Sequence, residues 1–242
     1  MCRHLAYLGE PVTLAELLFD PEHSLKRQSW NPLDMRGGGT INVDGFGVGW
    51  YPGDGAPPVR YRRAVPVWGD MNFASLARSI RSEAVVGAVR AATPGMPVIE
   101  TACAPFTEGQ WLFSHNGVIR GWPDVVADIA GRLPALDLIA MEAPTDSALL
   151  WALVRDRLRS GVDPVKAVAA TVTEVHEAAP TARLNLLLTD GERIVASTCG
   201  HSLWTARGRV ASEPFGDQSV WEQADDQRIV VVTRDSTIVE AL

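Results

Sequence analysis

Hydrophobic and polar positions change period several times along the chain, and the changes mark out its elements. Over residues 2–8 apolar and polar side chains partly alternate, the pattern of a strand with one buried face. A short helix over 13–19 follows, with Thr13 placed to cap it. Residues 45–51 read as a glycine-rich strand and 59–67 as its antiparallel partner. The PGDGAPP stretch between them reads as a turn or loop, as does the earlier Arg36-Gly37-Gly38-Gly39. A helix is predicted over 73–80, a buried strand over the apolar run 84–89, and a further strand over 111–115 that ends on Asn116-Gly117. Three helical stripes come next. Val125, Ile129 and Leu133 share a face of 124–133; Leu149, Leu150, Leu153, Val154 and Leu158 form a broad stripe on 146–158; Val165, Val168, Val172 and Val175 do the same on 163–178. The last third is strand after strand, over 183–188, 193–197, 202–206, 209–212, 229–233 and 238–241, with Asp190-Gly191 and Arg207-Gly208 as hairpin turns.

Strands in runs and helices in a cluster, without strict βαβ alternation, point to an α+β layered protein with antiparallel sheets. There is no internal repeat and no low-complexity linker, so the 242 residues read as one domain. Composition agrees with a globular chain, 46% hydrophobic and 21% charged. A net charge of −7 argues against a nucleic-acid partner, which usually demands a basic surface. No stretch approaches eighteen apolar residues in a row, so no membrane partner is expected, and the N-terminus lacks the apolar core of a secretory signal. Three widely spaced cysteines, Cys2, Cys103 and Cys199, make neither a disulfide framework nor a zinc site and suit a reducing, cytoplasmic setting. HExxH, P-loop and EF-hand patterns are absent, and the alternating glycines of DGFGVGW do not spell GxGxxG. No metal or cofactor is therefore implied; those glycines are expected to let another strand or a substrate come close.

Cys2 draws attention because small second residues lead to removal of the initiator methionine. The mature chain would carry a thiol and a free α-amino group on one residue. The amine titrates near ~7.7–8.0 and the thiol near ~8.5, so nucleophile and base are matched at neutral pH. Asn116 and Gly117 could present a side-chain amide and a backbone N–H to a developing oxyanion. His115 beside them reads as structural, the amine already filling the role of base. Arg90 ends an apolar strand and offers a planar fork to a carboxylate. Asp146, after Thr145 at a helix start, could meet an ammonium. Each has a plainer reading alone: an edge-strand cysteine, a tight turn, a surface ion pair, a carboxylate favouring the helix dipole.

Taken in order, Cys2, Arg90 with Thr93, Asn116-Gly117 and Asp146 resemble the class II glutamine amidotransferase pattern of the N-terminal-nucleophile hydrolases. The resemblance extends over most of the chain and is nearest the γ-glutamyl amidohydrolases of ergothioneine biosynthesis. It is carried by MCRHLAYLG, DGFGVGWY, VWGDMNFASLARSIRS, VRAATPGMP, APFTEGQWLFSHNG, TDSALLWAL, TARLNLLLTDG and ASEPF. It implies one domain over residues 2–242, folded as a four-layer αββα sandwich of two stacked antiparallel sheets. It implies roles too: Cys2 as nucleophile, Asn116 and Gly117 as oxyanion holders, Arg90 on the α-carboxylate, Asp146 on the α-ammonium, and Thr93 on the glutamyl main-chain atoms. The implied substrate is γ-glutamyl-hercynylcysteine sulfoxide, cleaved to glutamate and hercynylcysteine sulfoxide. Ammonia-delivering relatives commonly carry Trp and His in the loop after the arginine. Here it reads Arg90-Ala91-Ala92-Thr93-Pro94-Gly95, which suits a bulkier leaving group. The chain leaves no room for a synthetase domain, and no obligatory synthetase partner is expected. Two other readings stay open: a glutaminase subunit feeding ammonia to a separate synthetase, and a non-catalytic binding domain. Trp30, Trp50 and Trp68 are candidates to touch the leaving group.

Overall fold

The computed structural model describes residues 2–36 and 41–242; the turn expected at 36–39 lies, beyond Arg36, outside them. The chain begins with β1 (Arg3–Thr13), helices α1 (Leu14–Leu18) and α2 (Leu25–Gln28), β2 (Phe46–Trp50), β3 (Val59–Arg63), α3 (Met71–Leu76) and β4 (Arg81–Val89). It continues through β5 (Phe106–Glu108), β6 (Trp111–Val118), and helices α4 (Ala127–Ala130), α5 (Ala135–Ile139), α6 (Asp146–Arg159) and α7 (Pro164–Ala178). The last part comprises β7 (Arg183–Thr189), β8 (Ile194–Thr198), β9 (Trp204–Ala206), β10 (Arg209–Ala211), β11 (Glu222–Gln223), β12 (Arg228–Val232) and β13 (Thr237–Ala241). One sheet has the order β11-β9-β10-β1-β4-β2-β3, the other β13-β12-β8-β7-β6-β5, and every pairing is antiparallel.

Strand alternation turns these sheets into layers. In β1, Leu5 and Tyr7 pack with Leu14, Leu17 and Leu18 of α1, while Ala6 and Leu8 point the other way. In β6, Phe113 stacks on Trp151 of α6 with ring centroids 5.4 Å apart, while Leu112 points the other way. The side chains pointing away from the helices, among them Ala6, Leu8, Val86, Leu112, Leu187 and Val230, form a separate cluster between the two sheets. Three apolar clusters thus fill three interfaces between four layers, the αββα sandwich that the resemblance implies. The stripes on α6 and α7 are core, as expected: Leu149, Leu150, Val154, Val168 and Val172 are all at most 1% exposed. Each such side chain contributes about 1.5–3 kcal/mol on burial.

The N-terminus of α1 follows the sequence closely. Thr13 accepts from Glu16 N–H while the Glu16 carboxylate accepts from Thr13 N–H, a reciprocal capping box. Other boundaries move. The helix expected over 124–133 is broken into a 3-10 turn and the single turn α4, and the strand expected to reach Val67 stops at Arg63, before Pro66. The tight turn expected at Asn116-Gly117 is not there. β6 runs on to Val118, with Asn116 opposite Asn185 and Gly117 opposite Leu184. The glycine serves closeness instead of a turn: a Cβ at Gly117 would lie 1.8 Å from the Arg183 carbonyl oxygen. Gly47 is needed for the same reason, since its Cβ would come within 2.2 Å of Ala104 O. This is the close backbone approach expected of the alternating glycines.

Candidate active site

The register of the first sheet brings Cys2 and Arg90 together. Arg3 pairs with Val89, so Cys2 and Arg90 are the next residues outward on adjacent strands. The Cys2 thiol faces Ala91 O at 3.8 Å. The turn beyond Arg90 is held from below by the approach to β2: Arg90 N–H donates to Gly45 O at 2.8 Å, Asp44 N–H to Arg90 O at 3.1 Å, and Ala92 N–H to the Asp44 carboxylate at 2.8 Å. Cys2, Phe46, Arg90, Cys103, His115 and Ser147 line one small cavity of about 20 Å³. That is room for about one water molecule.

Of the three cysteines only Cys2 is partly exposed; Cys103 and Cys199 are buried, and none is in a disulfide. Burial pushes the Cys103 thiol up to about 11 and raises that of Cys199 as well. The thiolate is the reactive form, so these two are poor nucleophiles and Cys2 is the accessible one.

Arg90 donates through Nη1 to Pro97 O at 2.9 Å and, among the described residues, has no carboxylate partner. Asp146 opens α6, behind the Thr145 cap, and is 4% exposed. Its Oδ2 accepts from Ile119 N–H at 3.0 Å and its Oδ1 from Ser147 N–H at 2.7 Å, again with no cation beside it among the described residues. The first turn of a helix favours that negative charge. Thr93 stands apart from the cysteine: it lines a neighbouring groove of about 420 Å³ with Met96, Ile119, Arg120 and Trp122.

His115 uses both ring nitrogens inside the fold. Arg183 O can only accept, so Nε2 carries the hydrogen it receives at 2.9 Å, and Nδ1 meets Ser147 Oγ at 2.9 Å. Asn116 is 1% exposed, and its Nδ2 donates to Ser212 Oγ at 3.1 Å. The same hydroxyl accepts from His4 N–H at 3.0 Å, which connects Asn116 to the start of β1 through one oxygen. Around it lies a buried polar cluster between the sheets. His4 Nδ1 meets Ser114 Oγ at 3.1 Å, and Asn185 donates to His201 O and Ser202 O. Burial, then the charges of His115 and Arg3, hold His4 down to about 3; burial and the Arg183 charge bring His201 to about 3. Both imidazoles are neutral at physiological pH.

Next to Ser212, Glu213 is a buried hub. Its carboxylate accepts from Arg3 Nε at 3.0 Å, His23 Nε2 at 2.6 Å, Leu33 N–H at 2.9 Å and Asp34 N–H at 3.1 Å. Arg3 in turn donates to Cys2 O at 3.1 Å and to Asp34 O, so the backbone of Cys2 is fixed through Glu213. Burial alone would raise the Glu213 carboxyl, but these hydrogen bonds and the Arg3 charge bring it below its ordinary value.

The pattern that defines class II glutamine amidotransferases matches residues 19–239. The chain belongs to that family. Among amidotransferase relatives, it is 40% identical over 246 residues to a γ-glutamyl-hercynylcysteine sulfoxide hydrolase of Mycobacterium tuberculosis (strain CDC 1551 / Oshkosh), covering 100% of this chain and 97% of that one. It is 41% identical over 243 residues to the protein of the same name in Mycolicibacterium smegmatis, with 99% and 98% covered. A probable glutamine amidotransferase of Saccharomyces cerevisiae, DUG3, is 32% identical over 81% of this chain and 63% of its own length. A glutamine aminotransferase class-II domain protein from Silicibacter pomeroyi superposes with a TM-score of 0.70 at 22% identity, covering 99% of both chains. The glutamine phosphoribosylpyrophosphate amidotransferase of B. subtilis gives 0.63 at 14% identity over 100% of this chain and 49% of its own. These two likenesses bear on the fold alone. Of the residues expected for an amidotransferase site, Cys2 and Arg90 share a cavity, while Asn116 and Asp146 are held by neighbouring hydrogen bonds and Thr93 faces the next groove. Ser147, Ser212 and Glu213 were not legible as site residues, because their partners are set by the fold. Trp30 and Trp68 meet edge to face at 5.1 Å, and Trp50 packs against the core under the first sheet; none of the three lines the cysteine cavity.

Proposed function

We propose that this chain hydrolyses the γ-glutamyl amide of γ-glutamyl-hercynylcysteine sulfoxide, releasing glutamate and hercynylcysteine sulfoxide. The observation that carries this reading is identity of about 40% over the full chain with two curated hydrolases of that name. In this reading a single class II amidotransferase domain works in the cytoplasm without a synthetase partner. Loss of Met1 frees the α-amino group of Cys2, which takes the thiol proton. The thiolate adds to the γ-carbonyl carbon, and Asn116 Nδ2–H and Gly117 N–H bind the oxyanion. As the C–N bond breaks, the α-ammonium group returns its proton to the leaving amine. A γ-glutamyl thioester remains on Cys2. Water, deprotonated by the same amine, then attacks it and frees glutamate. Arg90 holds the α-carboxylate, Asp146 the α-ammonium, and Thr93 the glutamyl main-chain atoms. The absence of ion-pair partners on Arg90 and Asp146 among the described residues supports this, since a zwitterionic glutamyl head supplies both missing charges.

Intact-mass analysis before and after incubation with a γ-glutamyl-directed electrophile tests the mechanism, reporting loss of Met1 and labelling of Cys2 together. Active protein that retains Met1 would sink it. The yeast relative favours a second reading, glutamine hydrolysis with ammonia passed to another chain. Glutamate release from the γ-glutamyl thiol-histidine substrate, with poor turnover of glutamine, decides for the first; glutamine turnover that rises on adding a partner decides for the second. A purely binding role requires that Cys2→Ala leave the biological activity intact.

A further inference from the structure

Ser212 and Asn116 are two buried groups whose hydrogen-bonding capacities do not match. Asn116 Nδ2 points at Ser212 Oγ, and Asn116 Oδ1 has no partner at all among the described residues. The Ser212 hydroxyl accepts twice, from Asn116 and from His4 N–H, and donates to nothing among the described residues. One acceptor is orphaned and one donor unused, a few ångströms apart and both buried. An unmade hydrogen bond in such a place is costly, because the buried group has given up its water. A half-turn of the amide pairs the unused hydroxyl hydrogen with the orphaned oxygen and leaves the Nδ2 hydrogens without a protein partner, because the oxygen and nitrogen ends of an asparagine have nearly the same size. Ser212 O–H then donates to Oδ1, its oxygen still accepts from His4 N–H, and the two Nδ2 hydrogens occupy the place of the orphaned oxygen.

We propose that Ser212 is a positioning residue that, by donating its hydroxyl hydrogen to Asn116 Oδ1, turns the Asn116 Nδ2–H donors toward the γ-carbonyl oxygen at Cys2. The inference rests on the oxyanion role given to Asn116 above. It explains why the amide lies in the polar layer between the sheets. There Ser212 is joined to β1 by backbone bonding, Ser212 N–H donating to His4 O at 2.9 Å, two residues from the nucleophile. A hydroxyl so fixed preorganises the amide before any charge develops, and preorganised donors stabilise an oxyanion best. It also gives a duty to the serine of the ASEPF stretch.

A double-mutant cycle and neutron diffraction test this together. For Ser212→Ala we expect kcat to fall about tenfold, the range of one oriented hydrogen bond, with KM changed by less than about twofold. In the Asn116→Ala background, Ser212→Ala should cost nothing further, because the amide it orients is gone. An equal, independent loss in that background overturns the inference and leaves the oxyanion reading standing. If Asn116→Ala itself keeps kcat within about twofold, the oxyanion reading falls and this inference with it. Should Ser212→Ala fail to fold, the wild-type protein still decides. In deuterated crystals the hydroxyl deuterium is expected on the line from Ser212 Oγ to Asn116 Oδ1; Nδ2 deuterons directed at Ser212 Oγ would refute it.

Discussion

Lowering the pH from 7 to 5 should weaken the folded state by about 4 kcal/mol, and the source is two buried imidazoles. His4 is 1% exposed and His201 4%, and both are held near 3 in the folded protein against an ordinary value of 6.5. A base whose folded value is depressed leaves stability intact above the unfolded value. That stability drains away as pH falls from about 6.5 toward about 3, because only the unfolded chain takes up the proton. At pH 5 each imidazole is almost fully protonated when unfolded and almost fully neutral when folded. The difference in proton binding amounts to about 2 kcal/mol per histidine relative to pH 7, a large share of a typical 5–15 kcal/mol. Urea unfolding followed by tryptophan fluorescence at pH 7, 6 and 5 measures it. His4→Asn, which keeps a polar atom toward Ser114, should roughly halve the slope. Free energies of unfolding that agree to within about 1 kcal/mol at pH 7 and 5 would show that these imidazoles are not held neutral.

Arg90→Ala should lower kcat/KM for the γ-glutamyl substrate by about 10–100-fold, mainly through KM, as expected for a lost charge-assisted contact; steady-state glutamate release reads it, and an unchanged KM would remove Arg90 from the carboxylate site. Gly117→Ala places a methyl 1.8 Å from Arg183 O, so β6 must part from β7; a loss of roughly 2–3 kcal/mol in chemical unfolding is expected. Leu150→Ala empties a fully buried position of α6 and should cost about 2–5 kcal/mol in the same assay, with little effect on KM.

The long elements were readable because their side chains have a period that local physics fixes. α6, α7 and the strands from 183 onward lie within a few residues of where the pattern puts them, while β1 runs five residues past the expected end at Leu8, through an irregular pairing before Val12. β5 and β11, at three and two residues, are too short to show any period and exist only because a neighbouring strand offers its edge. Asn116-Gly117 misleads for a different reason. The dipeptide has strong turn chemistry, yet β7 supplies a full ladder and the glycine is needed for closeness. Of the residues expected at the site, Cys2, Arg90 and Asp146 stand out in the sequence because each sits at the end of an element. Ser212 could not: its partner Asn116 is 96 positions away. Glu213 reaches Arg3 across 210. Such pairings are made by the stacking of the sheets and leave no local trace.

The Glu213 hub also bears on timing. The thiol proposed to attack is on residue 2, yet the carboxylate that steadies its backbone through Arg3 is residue 213, and one strand beside β1, β10, is made just before it. A ribosome therefore releases the reactive end first and its support late. Until β10 and Glu213 have emerged, β1 has β4 on one side only and Cys2 lacks the support that Glu213 gives through Arg3. Hydrolytic competence should then arrive only once Glu213 has joined the fold.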